Sequence, residues 1–468
     1  MRPAARDQGP DRAPRSQRLE VQAALRRLLA LAGPVILAEL GWMAMGLVDT
    51  VMVGPLGPAA IGAVGLGSGV FMALAIFGMG LLLGLDTLVS QAAGAGRLDE
   101  CHRWLVHGLA LGALAALPLA GLLALVISFI ASWGLHPETE RLALPYLQAI
   151  AWSLFPLLVY ASFRRYLQGL GLVRPITFAL VTANAVNLFS NWVLIYGHLG
   201  MPALGVPGAA WATCLARVYM AAVLGVAILL HDRRSGSTLS GAFGWPTFDR
   251  LTRLTRLGLP AAVQLTLEVG VFAAATALAG KLDPVSTASH QVALNIASFV
   301  FMVPLGSASA SAVVVGHAVG RRDARGAGVA GWTALGVIAA FMLFVALVFV
   351  TMPRLLLSVF TDNAAVIATG RRLLFVAAIF QLFDGLQVVA TGVLRGVGDT
   401  RAPMLWNLAG HWMFGLPVGY LLCFRYDWGV TGLWVGLSIG LTFVGIVLVG
   451  VWARRATGLR DTLGVAGS

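Results

Sequence analysis

The sequence predicts an all-α polytopic membrane protein in which twelve transmembrane helices form two six-helix lobes related by a parallel internal repeat. Three observations carry that prediction. Of 468 residues 58% are hydrophobic and only 11% charged, with a mean hydropathy of +0.84, which leaves too little polar surface for a water-soluble globule. Apolar runs of about 20 residues, each long enough to cross a hydrocarbon core of ~30 Å, recur along nearly the whole chain. A shift of about 226 positions, finally, lays one half of the chain on the other.

The elements follow in order from apolar runs set between Gly, Pro and Arg. Spans are expected near 29–53, 59–84, 104–131, 143–163, 175–197 and 206–230, then 255–279, 288–314, 329–352, 370–392, 404–423 and 430–452. Under the shift Pro34 falls on Pro260, Gly54 on Gly280, Pro58 on Pro284 and Gly94 on Gly320. Later, "LQGLGLVRP" (167–175) meets "LRGVGDTRAP" (394–403), and "LGVPGAAW" (204–211) meets "WGVTGLW" (428–434). Six spans per half is an even number, so both halves enter the membrane from the same side, the parallel-repeat plan of secondary transporters with a substrate site between the halves. The expected organisation is a polar tail at 1–28, a first lobe at 29–230, a connector at 231–254, a second lobe at 255–452 and a tail at 453–468.

Charge reports orientation. If the Arg-rich first tail is cytoplasmic, that side of the membrane holds 25 of the 32 Lys and Arg residues, among them Arg164, Arg165 and Arg395 in loops, so both termini and the connector are expected in the cytoplasm. The net charge of +12 is spread over short Arg clusters, which argues against a nucleic-acid partner. Lys281 is the single lysine, and Cys101, Cys214 and Cys423 stand far apart, so neither a disulfide framework nor a metal site is expected. The apolar run after residue 28 is too long for a signal-peptide core, so the tail should be retained, without fixed structure up to about Gln17.

The acids inside the spans are the functional candidates, since a carboxylate in hydrocarbon costs at least ~2.5–3.5 kcal/mol unless it faces a cavity or a partner. They are Glu39, Asp49, Glu268 and Asp384. In "FQLFDGLQVVATGVLRG", Gln381, Asp384, Gln387 and Thr391 share one helix face. Glu268 has Gln264 one turn before it, and the one Arg embedded away from the ends of a predicted span is Arg217. In "RPITFALVTANAVNLFSNWVLIYG", Thr177, Asn184, Asn187 and Asn191 form a stripe whose oxygens suit a monovalent cation or a watery cavity, or equally join helices. Trp42 lies two turns before Asp49 on the same face, while Trp152 and Trp192 fit either drug contact or interface anchoring. Asp86, near the end of the second span, reads as an interfacial or turn-capping residue. His290, His317 and His411 lack metal-ligand spacing.

Together "GLVDTVMVGPLG", "LVSQAAGAGR", "NLFSNWVLIYG", "LEVGVFA" and "FDGLQVVATGVLRGVGDTR", set in twelve duplicated spans, resemble the multidrug and toxic compound extrusion (MATE) family, NorM-like branch, over roughly 29–452. The resemblance implies that Asp49 is the acid of the first lobe, a coupling residue that exchanges its proton or cation as its helix shifts, that Asn187 and Asn191 are the paired asparagines of the fifth span, and that Glu268 and Asp384 belong to the cation-coupling site. Glu39 departs from the family pattern, either adding a second acid to the first lobe or facing water.

The implied activity is export of amphipathic, often cationic organic compounds and drugs by alternating access, driven by Na⁺ or H⁺, from a monomer in a bacterial inner membrane. No cofactor is implied beyond the coupling ion, which is expected at Glu268 and Asp384. A flippase for a lipid-linked or anionic precursor is the alternative, but it would favour a cavity lined by Arg or Lys. An intramembrane enzyme would need a catalytic set, and none is evident; "GLGSG" (65–69) lies within a span with no strand before it.

Overall fold

The computed structural model describes residues 12–134, 136–235 and 244–463, so the far end of the first tail and the middle of the connector lie outside the described residues. Helix α1 begins at Arg12, which corrects the expectation of an unstructured tail reaching Gln17.

Among the described residues twelve candidate spanning segments follow in the expected order, with one short helix besides, Pro353–Ser358. The first lobe comprises α1 (Arg12–Val53), α2 (Pro58–Gly94), α3 (Leu98–Phe129), α4, α5 (Arg174–Tyr196) and α6 (Val206–Ser235). The segment α4 is a pair, Pro137–Ala151 and Leu154–Gly169, bent by 47°. The second lobe comprises α7 (Phe248–Ala279), α8 (Pro284–Gly320), α9 (Ala324–Thr351), α10 (Ala364–Gly396), α11 (401–425) and α12 (Gly429–Thr462). Ten of them are single helices long and apolar enough to span a bilayer, and the bent pair makes an eleventh. The segment α11 alternates α with π turns at Leu408–Gly415 and Leu421–Arg425, a wider winding that departs from ordinary helix geometry.

Local chemistry sets the ends. Proline opens α2 and α8, where its missing N–H is not needed, and Asp283 and Asn363 cap α8 and α10 by accepting from Ser286 N and from Ala365 N and Val366 N. The short turn between α7 and α8 leaves Lys281 exposed. Several helices outrun their expected limits. The segment α2 continues past a break at residues 82–83 to Gly94, and α4 runs to Gly169. With α10 running to Gly396, Arg164, Arg165 and Arg395 therefore lie inside helices and not in loops.

The lobes are pressed together in the half where α1 starts and α12 ends. There α2 meets α7 and α8 so closely that a Cβ on Gly80 would sit 2.5 Å from the Ala262 Cα, and one on Gly84 2.9 Å from the Leu254 carbonyl. Gly258 and Gly320 likewise face the backbones of Leu81 and Gln91. Small residues let helix backbones approach where lipid offers no hydrophobic drive. The lower part of α1 belongs to this seam too, because Leu28 and Ala32 pack into the core of the second lobe.

Candidate functional site

In the second lobe Glu268, on α7, and Asp384, on α10, come together as buried side chains. Gln387, one turn beyond Asp384, donates Nε2 to Glu268 Oε1 at 3.2 Å and to Asp384 Oδ1 at 3.4 Å. One amide thus serves both carboxylates. Gln264 lies within hydrogen-bonding reach of Glu268, and Gln381 and Thr391 are buried on the same face of α10. Gln387 Oε1, Thr391 Oγ1 and Gln381 Nε2 have no hydrogen-bond partner among the described residues. A buried polar atom without a partner costs about 1–3 kcal/mol, so Gln387 Oε1 and Thr391 Oγ1 are short of a cation or donor and Gln381 Nε2 of an acceptor.

The acids open on a cavity of about 400 Å³ walled by Phe272, Phe301, Phe380 and Trp434, with Ile76 of the first lobe also in its lining. His290 lines it as well. The Trp434 indole can only donate, so its 3.0 Å bond to His290 Nδ1 fixes that nitrogen as an acceptor. The ring's proton then sits on Nε2 and is donated to Thr276 Oγ1 at 2.9 Å, while the Thr276 hydroxyl donates to the Phe272 carbonyl. The histidine is neutral in this arrangement and sets no cation against the acids.

In the first lobe Asp49 is buried at the meeting of α1, α5 and α6. Oδ1 accepts from Asn187 at 3.0 Å and Asn191 at 2.7 Å, and Oδ2 from Thr213 at 2.7 Å. The asparagine stripe divides. Asn184 donates to the Gly41 and Leu180 carbonyls and Thr177 to the Pro34 carbonyl, so these two join α5 to α1, whereas Asn187 and Asn191 serve the acid. Trp42 stacks on Tyr160 at 6.1 Å, and the buried Arg217 guanidinium lies 6.0 Å from Trp42 and 4.5 Å from the Phe71 ring while donating to Ser153. Trp152 is exposed, and Trp192 stacks on His198 at 4.1 Å.

Three expectations need correction. Glu39 does not face water: it forms a buried ion pair with Arg164. Arg217 is not the only buried arginine, since Arg164 and Arg395 are buried as well. Asp86 is neither interfacial nor a cap, being fully buried between Arg165 and Arg395, each 3.3 Å from Oδ2. Sequence reasoning also missed Thr213 and the His290–Trp434 pair. Thr213 stands one turn before Arg217, the only weak signal available.

The repeat supplies the scaffold but not the chemistry. The shift that aligns the halves sets Trp42 opposite Glu268 and Ala275 opposite Asp49. The profile of the MatE family matches this chain twice, over residues 34–193 and 260–421. The chain belongs to the MatE family. This MatE chain is 38% identical over 441 residues to the probable multidrug resistance protein NorM of Mesorhizobium japonicum, covering 92% of this chain and 94% of that one. It is 37% identical over 449 residues to the probable multidrug resistance protein NorM of Rhodopseudomonas palustris, covering 94% and 93%. Such relatives place it in the NorM-like branch. Its fold matches the crystal structure of the eukaryotic MATE transporter AtDTX14 with a TM-score of 0.85 at 21% identity, over 95% of this chain and 100% of that one.

Proposed function

We propose that this MatE protein exports amphipathic organic cations and drugs by exchanging them for an inward-moving Na⁺ or H⁺, with its lobes rocking about the central cavity. The observation that carries this reading is the pairing of two carboxylates with an aromatic-walled cavity lined, among the described residues, by no Arg or Lys. An organic cation gains counter-charge from Glu268 and Asp384 and π-faces from the surrounding rings. A coupling cation wants the same carboxylates, so each occupant disfavours the other, as exchange requires. The flippase alternative draws no support from the newly found arginines, because Arg164, Arg165 and Arg395 are each held by an acid. Asp49, with its three donors, forms a second, separate candidate ion site. We place both termini and the connector in the cytoplasm of a cell with a bacterial inner membrane, and take the working unit as a monomer.

Sodium is the coupling ion we favour. A hard cation that sheds water needs several oxygens, and besides the two carboxylates the site offers Gln387 Oε1 and Thr391 Oγ1 without partners. The test is ethidium efflux from proteoliposomes driven separately by a sodium gradient at fixed pH and by a pH gradient without sodium. Sodium is expected to stimulate efflux, and Gln387→Leu to raise the sodium concentration for half-stimulation roughly tenfold, the cost of a lost ligand or hydrogen bond to a charge, with a smaller change in ethidium binding. Full efflux on a pH gradient alone makes the carboxylates a proton site.

A further inference from the structure

The lobe seam contains a buried ionic cluster that the transport site does not use. Asp86 of α2 is fully buried, and its Oδ2 is shared by Arg165, from α4 of the same lobe, and Arg395, from α10 of the other lobe, each at 3.3 Å. Arg165 also reaches Ser309 of the second lobe at 3.4 Å. Around the cluster the backbone is tied across the seam as well. Thr87 donates to the Arg395 carbonyl at 2.6 Å and Gln91 to the Gly396 carbonyl at 3.0 Å, while His317 binds the Gly169 carbonyl at 2.7 Å. Arg395 stands on the same helix as Asp384, eleven residues further on, or about 16 Å along the axis. One rigid rod therefore carries an acid of the cavity and the arginine that crosses to the other lobe.

The geometry points to Asp86, Arg165 and Arg395 as an ionic latch that holds the cytoplasmic ends of the two lobes closed and is released when α10 moves. This rests on the alternating-access reading above. The charges fix the sign of each contribution. Closing the seam brings Arg395 to Asp86, which attracts it, and to Arg165, which repels it. On opening, Asp86 keeps Arg165 as its partner and Arg395 leaves with the second lobe. The latch is therefore weakened by design of its charges, and α10 can break it without stranding a bare carboxylate, whose burial alone would be costly.

Electron–electron distances between spin labels at Arg97→Cys and Arg401→Cys, two exposed sites on opposite lobes, test this. The protein is the full chain in lipid nanodiscs, with Cys101, Cys214 and Cys423 replaced by Ser. Arg395→Gln is expected to raise the population with separated cytoplasmic ends about fivefold, the lower range of such couplings. Asp86→Asn raises it further, because only the repulsion remains, and Arg165→Gln lowers it below the parent. Arg395→Lys, which keeps the charge, stays near the parent. A merely structural role for Asp86 inside the first lobe predicts instead that Asp86→Asn and Arg165→Gln behave alike while Arg395→Gln changes nothing; that pattern, or unchanged distances in all variants with melting temperatures within a few degrees of the parent, overturns the latch. The readout requires no transport, so a failure of the efflux experiment above leaves it standing, and the reverse holds too.

Discussion

Asp384→Asn and Glu268→Gln are each expected to bring gradient-driven efflux to background while the protein accumulates in the membrane at normal levels. The amides keep the size of the acids and remove the charge that both cargoes compete for. Gln387 donates to both carboxylates, and Asn or Gln can still accept that bond, so the fold should hold. The loss is one of coupling, and couplings between sites amount to roughly 1–3 kcal/mol, or about 5–150-fold; with two cargoes sharing one pair of acids, both arms of the exchange are lost together. The measurement is efflux from proteoliposomes together with equilibrium binding of ethidium. Parent-level transport in either variant, at matched expression, removes that residue from the exchange.

Gly80→Val and Gly258→Val are expected to do comparable damage from outside the cavity. A Cβ at Gly80 would lie 2.5 Å from the Ala262 Cα, and at Gly258 it would overlap the Leu81 carbonyl. Both obstacles are backbone, so relief comes only from moving the helices apart. Overpacking of this kind costs about 1–3 kcal/mol, and here it falls on one conformation alone. The closed form is penalised, the cycle loses one of its two end states, and transport should drop on the order of tenfold or more. Gly33→Val is the control, since nothing lies within 4 Å of a Cβ there. Equal transport in Gly80→Val and Gly33→Val would show that this contact is not required for turnover.

The parts of this architecture that were legible in the sequence are those where a residue conflicts with its own neighbours. Glu268 and Asp384 stand out because apolar runs surround them, and the structure joins them through Gln387, itself on the predicted polar face. The repeat was readable from Pro34 and Pro260 because prolines within long helices are scarce landmarks. What stayed hidden depends on distant partners or on exact helix ends. Arg165 and Arg395 look like loop charges until α4 and α10 are seen to extend to Gly169 and Gly396, and only then does Asp86 acquire neighbours. Glu39 reads as an anomaly in the sequence because its partner, Arg164, is 125 residues away, just past the end of an apolar run. Thr213 and His290 carry ordinary side chains with at most a weak local signal, and the π turns of α11 lie against the glycines of α12, where a Cβ added to Gly415 would sit 3.2 Å from the Gly436 carbonyl.

Lys281 has a use unrelated to transport. It is the only lysine of the chain and is exposed in the short turn between α7 and α8, at the opposite end of the helices from the start of α1 and the end of α12. Apart from the amino terminus, no other primary amine is available to an acylating reagent. With the amino terminus blocked, a surface or bead bearing an activated ester can therefore take hold of the folded protein at one defined point of this face, while a tag joined beyond α12 holds it by the other. Preparations tethered in two opposite orientations, each presenting a different mouth to the solvent, follow from a single side chain without any substitution.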